Sequence, residues 1–170
     1  MKALSKNMFR LRKIFHKCLP RTGALGRMVE LTIKKTSHTQ LGNNLRIASF
    51  GTLRVYGNAT LHIGENFQSN NGLMLICRNQ VKIGRDVTIG PNVCIVDFNH
   101  DFNHENLRDN FIMGSVEIGD NVWIGASVII FPNSVIGNNC VIGAGSIVTG
   151  TIQDGTIYFN QIQKVQKNKS

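Results

Sequence analysis

The sequence predicts an all-β domain wound as a parallel β-helix, and three regularities carry that prediction. From Ile118 onward, Ile118, Ile124, Ile130, Ile136, Ile142 and Val148 stand six residues apart. Two positions before each comes a small or β-branched residue: Val116, Val122, Val128, Ser134, Cys140 and Ser146. Glycine follows at 119, 125, 137 and 143. The same frame runs earlier as Val81/Ile83, Val87/Ile89 and Val93/Ile95. Further upstream Leu45/Ile47, Leu53/Val55 and Leu61/Ile63 recur every eight residues, as if each early turn held two extra.

Apolar residues at n and n+2 point to one face of a short strand. Glycine beside them fits a turn that needs unusual backbone angles. Strand and turn within six residues exclude a sandwich, whose strands recur about every 8–12. A buried aliphatic side chain contributes about 1.5–3 kcal/mol, whereas ordering a residue costs roughly 1–2 kcal/mol. No turn is stable alone, so stacked coils must share one core.

The elements follow in chain order. Residues 1–29 hold eight of the nineteen basic residues and no acid. Within them Leu4, Met8, Leu11, Phe15 and Cys18 form a helical stripe, which Pro20 and Gly23 end. This amphipathic segment has two placements. Residues 1–21 lie on an anionic membrane surface, or they cap the open end of the β-helix. Residues 30–157 form the β-helix, interrupted by a polar loop at 96–115, and 158–170 form a tail. If 116 and 118 face inward, Glu117, Trp123, Ile129, Val135, Val141 and Ile147 face out. Their counterparts in the first half are Arg46, Arg54, His62, Lys82 and Thr88. Eighteen residues per coil stack Trp123 on Val141 and Ile129 on Ile147. The later coils thus present an apolar outer surface, which points to cover by a neighbour or a ligand.

Composition narrows the function classes. The net charge of +9 is concentrated in the first 29 residues and leaves a nearly neutral body. With 7% aromatic residues and no basic-aromatic interleaving in that body, nucleic-acid binding is not expected. Cys18, Cys77, Cys94 and Cys140 form no CxxC pair and no zinc spacing. There is no signal-peptide h-region and no apolar run long enough for a transmembrane helix, so a reduced cytoplasmic protein is expected.

The loop "VDFNHDFNHENLRDN" (96–110) interrupts the repeat with two histidines, four carboxylates and four asparagines. Loops on rigid scaffolds carry much of protein chemistry. The register, and above all "VEIGDNVWIGASVIIFPNSVIGNNCVIGAGSIVTG" (116–150), resembles the hexapeptide-repeat acyltransferases, in their galactoside, maltose and capsule O-acetyltransferase branch, over residues 45–157. That resemblance implies a left-handed β-helix with three hexapeptides per coil, and a homotrimer with active sites between subunits. It implies transfer of acetyl from acetyl-CoA to a sugar hydroxyl, as in the biosynthesis of surface polysaccharide. It makes His100 the general base, with His104 as the competing imidazole. Asp97, Asp101 and Glu105 are candidates to hold the ring's second nitrogen. From "ENFQSNNG" it carries over Asn70 for the acceptor, with Asn71 as its neighbour in doubt. Trp123 is carried over as a site-lining residue, with subunit packing as its plainer role. Ala126, Ala144, Thr149 and Gly150 match the coenzyme A groove, and the Ala126 N–H is the expected oxyanion donor. Lys164 and Lys167 stand where basic residues meet nucleotide phosphates, although Asn160 and Ile162 replace the family's closing Gly and Pro. Cys94, between Val93 and Ile95, reads as structural, so direct attack is expected rather than an acyl-enzyme. A binding scaffold without catalysis is one alternative. A metalloenzyme resembling the γ-class carbonic anhydrases, using His62, His100 and His104, is the other; the leading reading involves no metal.

Overall fold

The computed structural model describes residues 22–160. They form a triangular prism of stacked coils with three parallel sheets, one of seven strands and two of six, and no helix. The first face begins at Gly23–Leu25 and includes Gln68–Ser69, Thr88–Ile89 and Trp123–Ile124. The second includes Thr52–Val55, Met74–Cys77, Cys94–Val96 and Ile129–Ile130. The third includes Thr60–Ile63, Gln80–Ile83, Ser115–Ile118 and Ser134–Ile136. Because Gly23–Leu25 already pairs with Leu45–Ile47, the coils begin before residue 30, where the sequence reading had set the boundary.

The eight- and six-residue spacings are visible as a taper. Successive coils are offset by 22 residues at Asn44 and Asn66, 20 at Asn66 and Asp86, 18 at Asn121 and Asn139, and 16 at Asn138 and Asp154. Inward residues at n and n+2 build a single core. Leu53, Leu75, Ile95 and Ile130 stack on the second face, with partners such as Ile63, Ile83, Ile118 and Ile136 on the third. Each strand is too short to bury anything alone, so the cohesion lies between coils.

One expectation is corrected. The glycines that follow the isoleucines do not supply the left-handed backbone. That conformation falls two residues later, at Asn44, Asn66, Asp86, Asn121 and Asn139 between the third and first faces. Asn and Asp tolerate it better than other side chains. Here they also bond coil to coil, from Asn44 Nδ2 to Asn66 Oδ1 at 3.0 Å and from Asn66 Nδ2 to Asp86 Oδ1 at 2.8 Å. The glycines serve close approach instead. A Cβ on Gly84 would lie 2.6 Å from the Gly119 carbonyl oxygen, and one on Gly64 would lie 2.6 Å from the Arg85 nitrogen.

A second correction concerns the outward columns. Arg46, Thr88, Trp123 and Val141 do share a column, as do His62, Lys82, Glu117 and Val135. On the second face, however, Ile129 continues Thr52, Met74 and Cys94, whereas Arg54 continues into Ile76 and Val96. The early strands there are four residues long and present two outward positions, which a six-residue frame does not reveal. Ile129 does stack on Ile147.

Candidate active site

The loop at 96–115 is a folded arm. Phe98–His100 pairs antiparallel with Phe111–Met113, placing His100 opposite Phe111. The arm leaves the prism at the corner between the second and third faces, and Asp97 secures its base. The Asp97 carboxylate is fully buried and accepts hydrogen bonds from the backbone N–H of Arg78 (2.8 and 3.1 Å) and of Asn79 (2.8 Å). The Gly114 N–H donates to the Asp97 carbonyl at 2.7 Å, and Asn79 Nδ2 donates to the Gly114 carbonyl at 2.7 Å. Both chain ends of the arm are thereby tied to the corner of the coil before it.

His100 is exposed, and its Nδ1 lies 2.7 Å from the Leu107 carbonyl oxygen. A carbonyl only accepts, so in the neutral ring Nδ1 carries the proton and the Nε2 lone pair is free. His104 has the opposite arrangement. Its Nδ1 faces two donors, the Asn106 N–H at 3.1 Å and Asn110 Nδ2 at 2.9 Å. The orientation of that amide is set by its second contact, from Asn110 Nδ2 to the Asn106 carbonyl at 2.8 Å. His104 therefore has its lone pair occupied and presents Nε2–H. Of the two imidazoles, only His100 offers an unoccupied basic nitrogen.

None of the three carboxylates named from the sequence holds the His100 ring. Asp97 is spent on the corner amides, and Asp101 closes a turn on the Asn103 N–H at 3.1 Å. The Leu107 carbonyl takes the position instead of Glu105 or either aspartate. A backbone acceptor leaves no mark in the sequence, which is why residue types alone did not point to it.

Asn70 and Asn71 sit at the corner between the first and second faces. Asn71 Oδ1 accepts the Ser49 N–H of the preceding coil at 3.1 Å, so that side chain is structural. Asn70 Oδ1 folds back onto the Asn71 N–H at 2.8 Å and leaves its amino group available. The same corner carries Ala126 and Ala144 in later coils, since a Cβ on Gly125 would meet the Ala144 nitrogen at 2.6 Å. In the early coils, N–H groups at this corner are covered by side-chain oxygens: Arg27 N–H by Ser49 Oγ and Ser49 N–H by Asn71 Oδ1, each at 3.1 Å. Ala144 has no oxygen to place over Ala126, so the cap disappears where the sequence predicted a ligand groove. Trp123 points outward on the adjoining first face and is 58% exposed.

Thr149 and Gly150 lie at the other corner, the one that bears the arm; Gly150 has a φ of 80° and its carbonyl accepts the Val135 N–H. A single chain thus brings Asn70, Ala126 and Ala144 together at one corner and His100, Thr149 and Gly150 to another, with the second face between them. Lys164, Lys167 and the amphipathic segment 1–21 lie outside the described residues. Cys94 points outward between Met74 and Ile129, half-buried, and burial pushes its thiol up from the usual range, which disfavours a nucleophilic thiolate. Among the described residues, no three His, Cys, Asp or Glu side chains converge as metal ligands.

Missed entirely in the sequence was Arg78. Its guanidinium carbon lies 4.5 Å from the Tyr56 ring centre, 4.9 Å from that of Phe98 and 3.9 Å from that of Phe111. Its neighbours in the sequence, Cys77 and Asn79, gave no signal of such a role.

Comparison with known proteins agrees with the fold and the repeat. Residues 115–150 match the family model of the bacterial transferase hexapeptide (six repeats). A galactoside O-acetyltransferase of Escherichia coli K12 is 46% identical over 104 residues, which make up 60% of this chain and 50% of that protein. A putative lipopolysaccharide biosynthesis O-acetyl transferase of the same strain, WbbJ, is 29% identical over 145 residues, covering 79% of this chain and 74% of that one. A solved mutant of AntD, an N-acyltransferase from Bacillus cereus in complex with dTDP and coenzyme A, aligns with a TM-score of 0.60 at 25% identity, over 95% of this chain and 89% of that chain. The chain spans half the length of the galactoside enzyme it matches.

Proposed function

We propose one activity for this chain, whose residues 115–150 match the bacterial transferase hexapeptide: transfer of acetyl from acetyl-CoA to a hydroxyl of a sugar, in the making of a surface polysaccharide. The observation that carries this reading is the contact of His100 Nδ1 with the Leu107 carbonyl at 2.7 Å, which assigns the proton to Nδ1 and leaves Nε2 as the basic nitrogen on an exposed arm. A sugar hydroxyl is a poor nucleophile until a base removes its proton. Nε2 takes that proton as the oxygen attacks the thioester carbonyl, and the imidazolium returns it to the departing thiolate. The uncapped Ala126 N–H is the donor for the oxyanion, and Asn70 and Trp123 hold the acceptor. Small residues at 126 and 144 let the pantetheine arm approach the backbone. Both sequence relatives are named for O-acetyl transfer, which favours a hydroxyl over an amine as the acceptor.

The reading requires a second copy of the chain. His100 and the Asn70–Ala126–Ala144 corner are a face apart in one protomer. The outward columns Cys94–Ile129–Ile147 and Trp123–Val141–Ile157 are apolar. A homotrimer of left-handed β-helices that sets one chain's arm against its neighbour's uncapped corner completes the site and covers those columns. Residues 1–21 extend the proposal to contact with an anionic membrane, which co-sedimentation with vesicles tests for the intact chain against one lacking them.

Thiol release from acetyl-CoA in the presence of p-nitrophenyl glycosides tests the activity. Replacing His100 by Ala should lower turnover by about 10²–10⁴, with circular dichroism unchanged. An unaltered rate would remove His100 from the chemistry. Absence of coenzyme A binding to the wild-type chain would favour a scaffold.

A further inference from the structure

We propose that Arg78 is a positioning residue, which acts through Phe111 to hold His100 in place. Its setting is unusual for an arginine. The residue is half-buried, its Nε is buried with no hydrogen-bond partner, and none of the ion pairs among the described residues includes it. An apolar side chain of similar size would fill the space without leaving an orphaned N–H. What offsets that loss is the set of three rings around the cation, at 3.9, 4.5 and 4.9 Å, all within cation–π range.

Those rings come from two different parts of the chain. Tyr56 belongs to the prism, at the same corner one coil before Arg78, whereas Phe98 and Phe111 belong to the two strands of the arm. The guanidinium therefore joins arm to prism. Phe111 also lies 4.8 Å from the His100 imidazole, ring centre to ring centre, and Phe98 meets Phe111 edge-on at 5.4 Å. Two successive contacts run from Arg78 to the proposed base. The backbone of the same residue is held by Asp97, at the base of the arm. Asp97 fixes where the arm starts, and the Arg78 side chain fixes the direction it takes. Without the cation the hairpin would still pair with itself, but its rings would lose the contact that joins them to the prism, and the imidazole would shift with them.

The catalytic part of this proposal rests on His100 being the base; the mechanical part does not. Arg78→Met keeps the length of the stem and removes the charge. Hydrogen exchange should then accelerate at the amides of Asp101 and Gly114, which bond within the arm and at its base, while Trp123 and Ile129 in the coils keep their protection. Turnover should fall on the order of 10- to 100-fold, the scale of a misplaced reacting group. Arg78→Lys retains a cation for the rings and should restore part of both. Phe111→Leu leaves Arg78 in place and should copy Arg78→Met, which guards against a general folding defect in either variant. Unchanged exchange at Asp101 and Gly114 in Arg78→Met would overturn the proposal, whatever the activity. Faster exchange with undiminished turnover would show that the arm is latched by Arg78 but that His100 does not depend on it, and would overturn the positioning role.

Discussion

Removing the carboxylate of Asp97 tests the frame on which the candidate site hangs. In Asp97→Ala, the N–H groups of Arg78 and Asn79 lose an acceptor that is itself fully buried. Each orphaned amide costs about 1–3 kcal/mol, and bonds to an ionised acceptor are at the upper end. Against this, the mutant no longer has to strip water from a buried carboxylate, a term of several kcal/mol in the other direction. Truncating one partner of a buried charged contact nonetheless destabilises in practice, so a net loss of about 2–4 kcal/mol is expected. Asp97→Asn keeps one acceptor oxygen but turns an amino group toward the second amide, and should lose less, about 1–2 kcal/mol. Urea denaturation followed by circular dichroism and by fluorescence of the single tryptophan measures both, and the order Ala below Asn below wild type is the signature. If Asp97→Ala lay within about 0.5 kcal/mol of wild type, the corner amides would have found other partners. The account of the arm's base would then be wrong.

Three further outcomes follow from the same geometry. Gly84→Ala should destabilise by about 1–3 kcal/mol, as overpacking does, because its Cβ would meet the Gly119 backbone at 2.6 Å; equal urea midpoints would contradict the close-approach role of that glycine. Ile129→Glu should dissociate the proposed trimer and abolish activity while circular dichroism stays the same, since an unpaired carboxylate in an apolar contact costs several kcal/mol; sedimentation showing an intact trimer would remove the second face from the interface. Cys77 is buried, and its thiol is held far above the ordinary range, first by burial and then by the nearby Asp97 carboxylate. Its folded pKa exceeds the unfolded one, so its contribution is fully present below the usual thiol pKa and is lost as pH rises beyond it. Melting temperature should therefore drop between pH 8 and 10 more in wild type than in Cys77→Ala, and identical drops would dispose of that assignment.

What the sequence determined by itself was the solenoid. A side chain's face follows from its parity along a strand, and a short period repeated over many turns leaves one way to bury all the inward positions together. Leu53, Ile95 and Ile130 could be assigned to the core from spacing alone, and the break at 96–115 announced itself by losing the period. The asparagines at 44, 66, 121 and 139 were equally visible, but their work was credited to the glycines, because both meet the same turn and only the backbone angles separate a left-handed residue from a close approach. The second-face column went wrong where a four-residue strand offers two outward positions. Tertiary structure alone decided the chemistry of the arm. The free nitrogen of His100 depends on a backbone carbonyl seven residues away, and the grip of Arg78 depends on rings from Tyr56, Phe98 and Phe111. Among the described residues these contacts recur nowhere else. A pattern has to repeat to be read from a sequence, and a site that is built once does not.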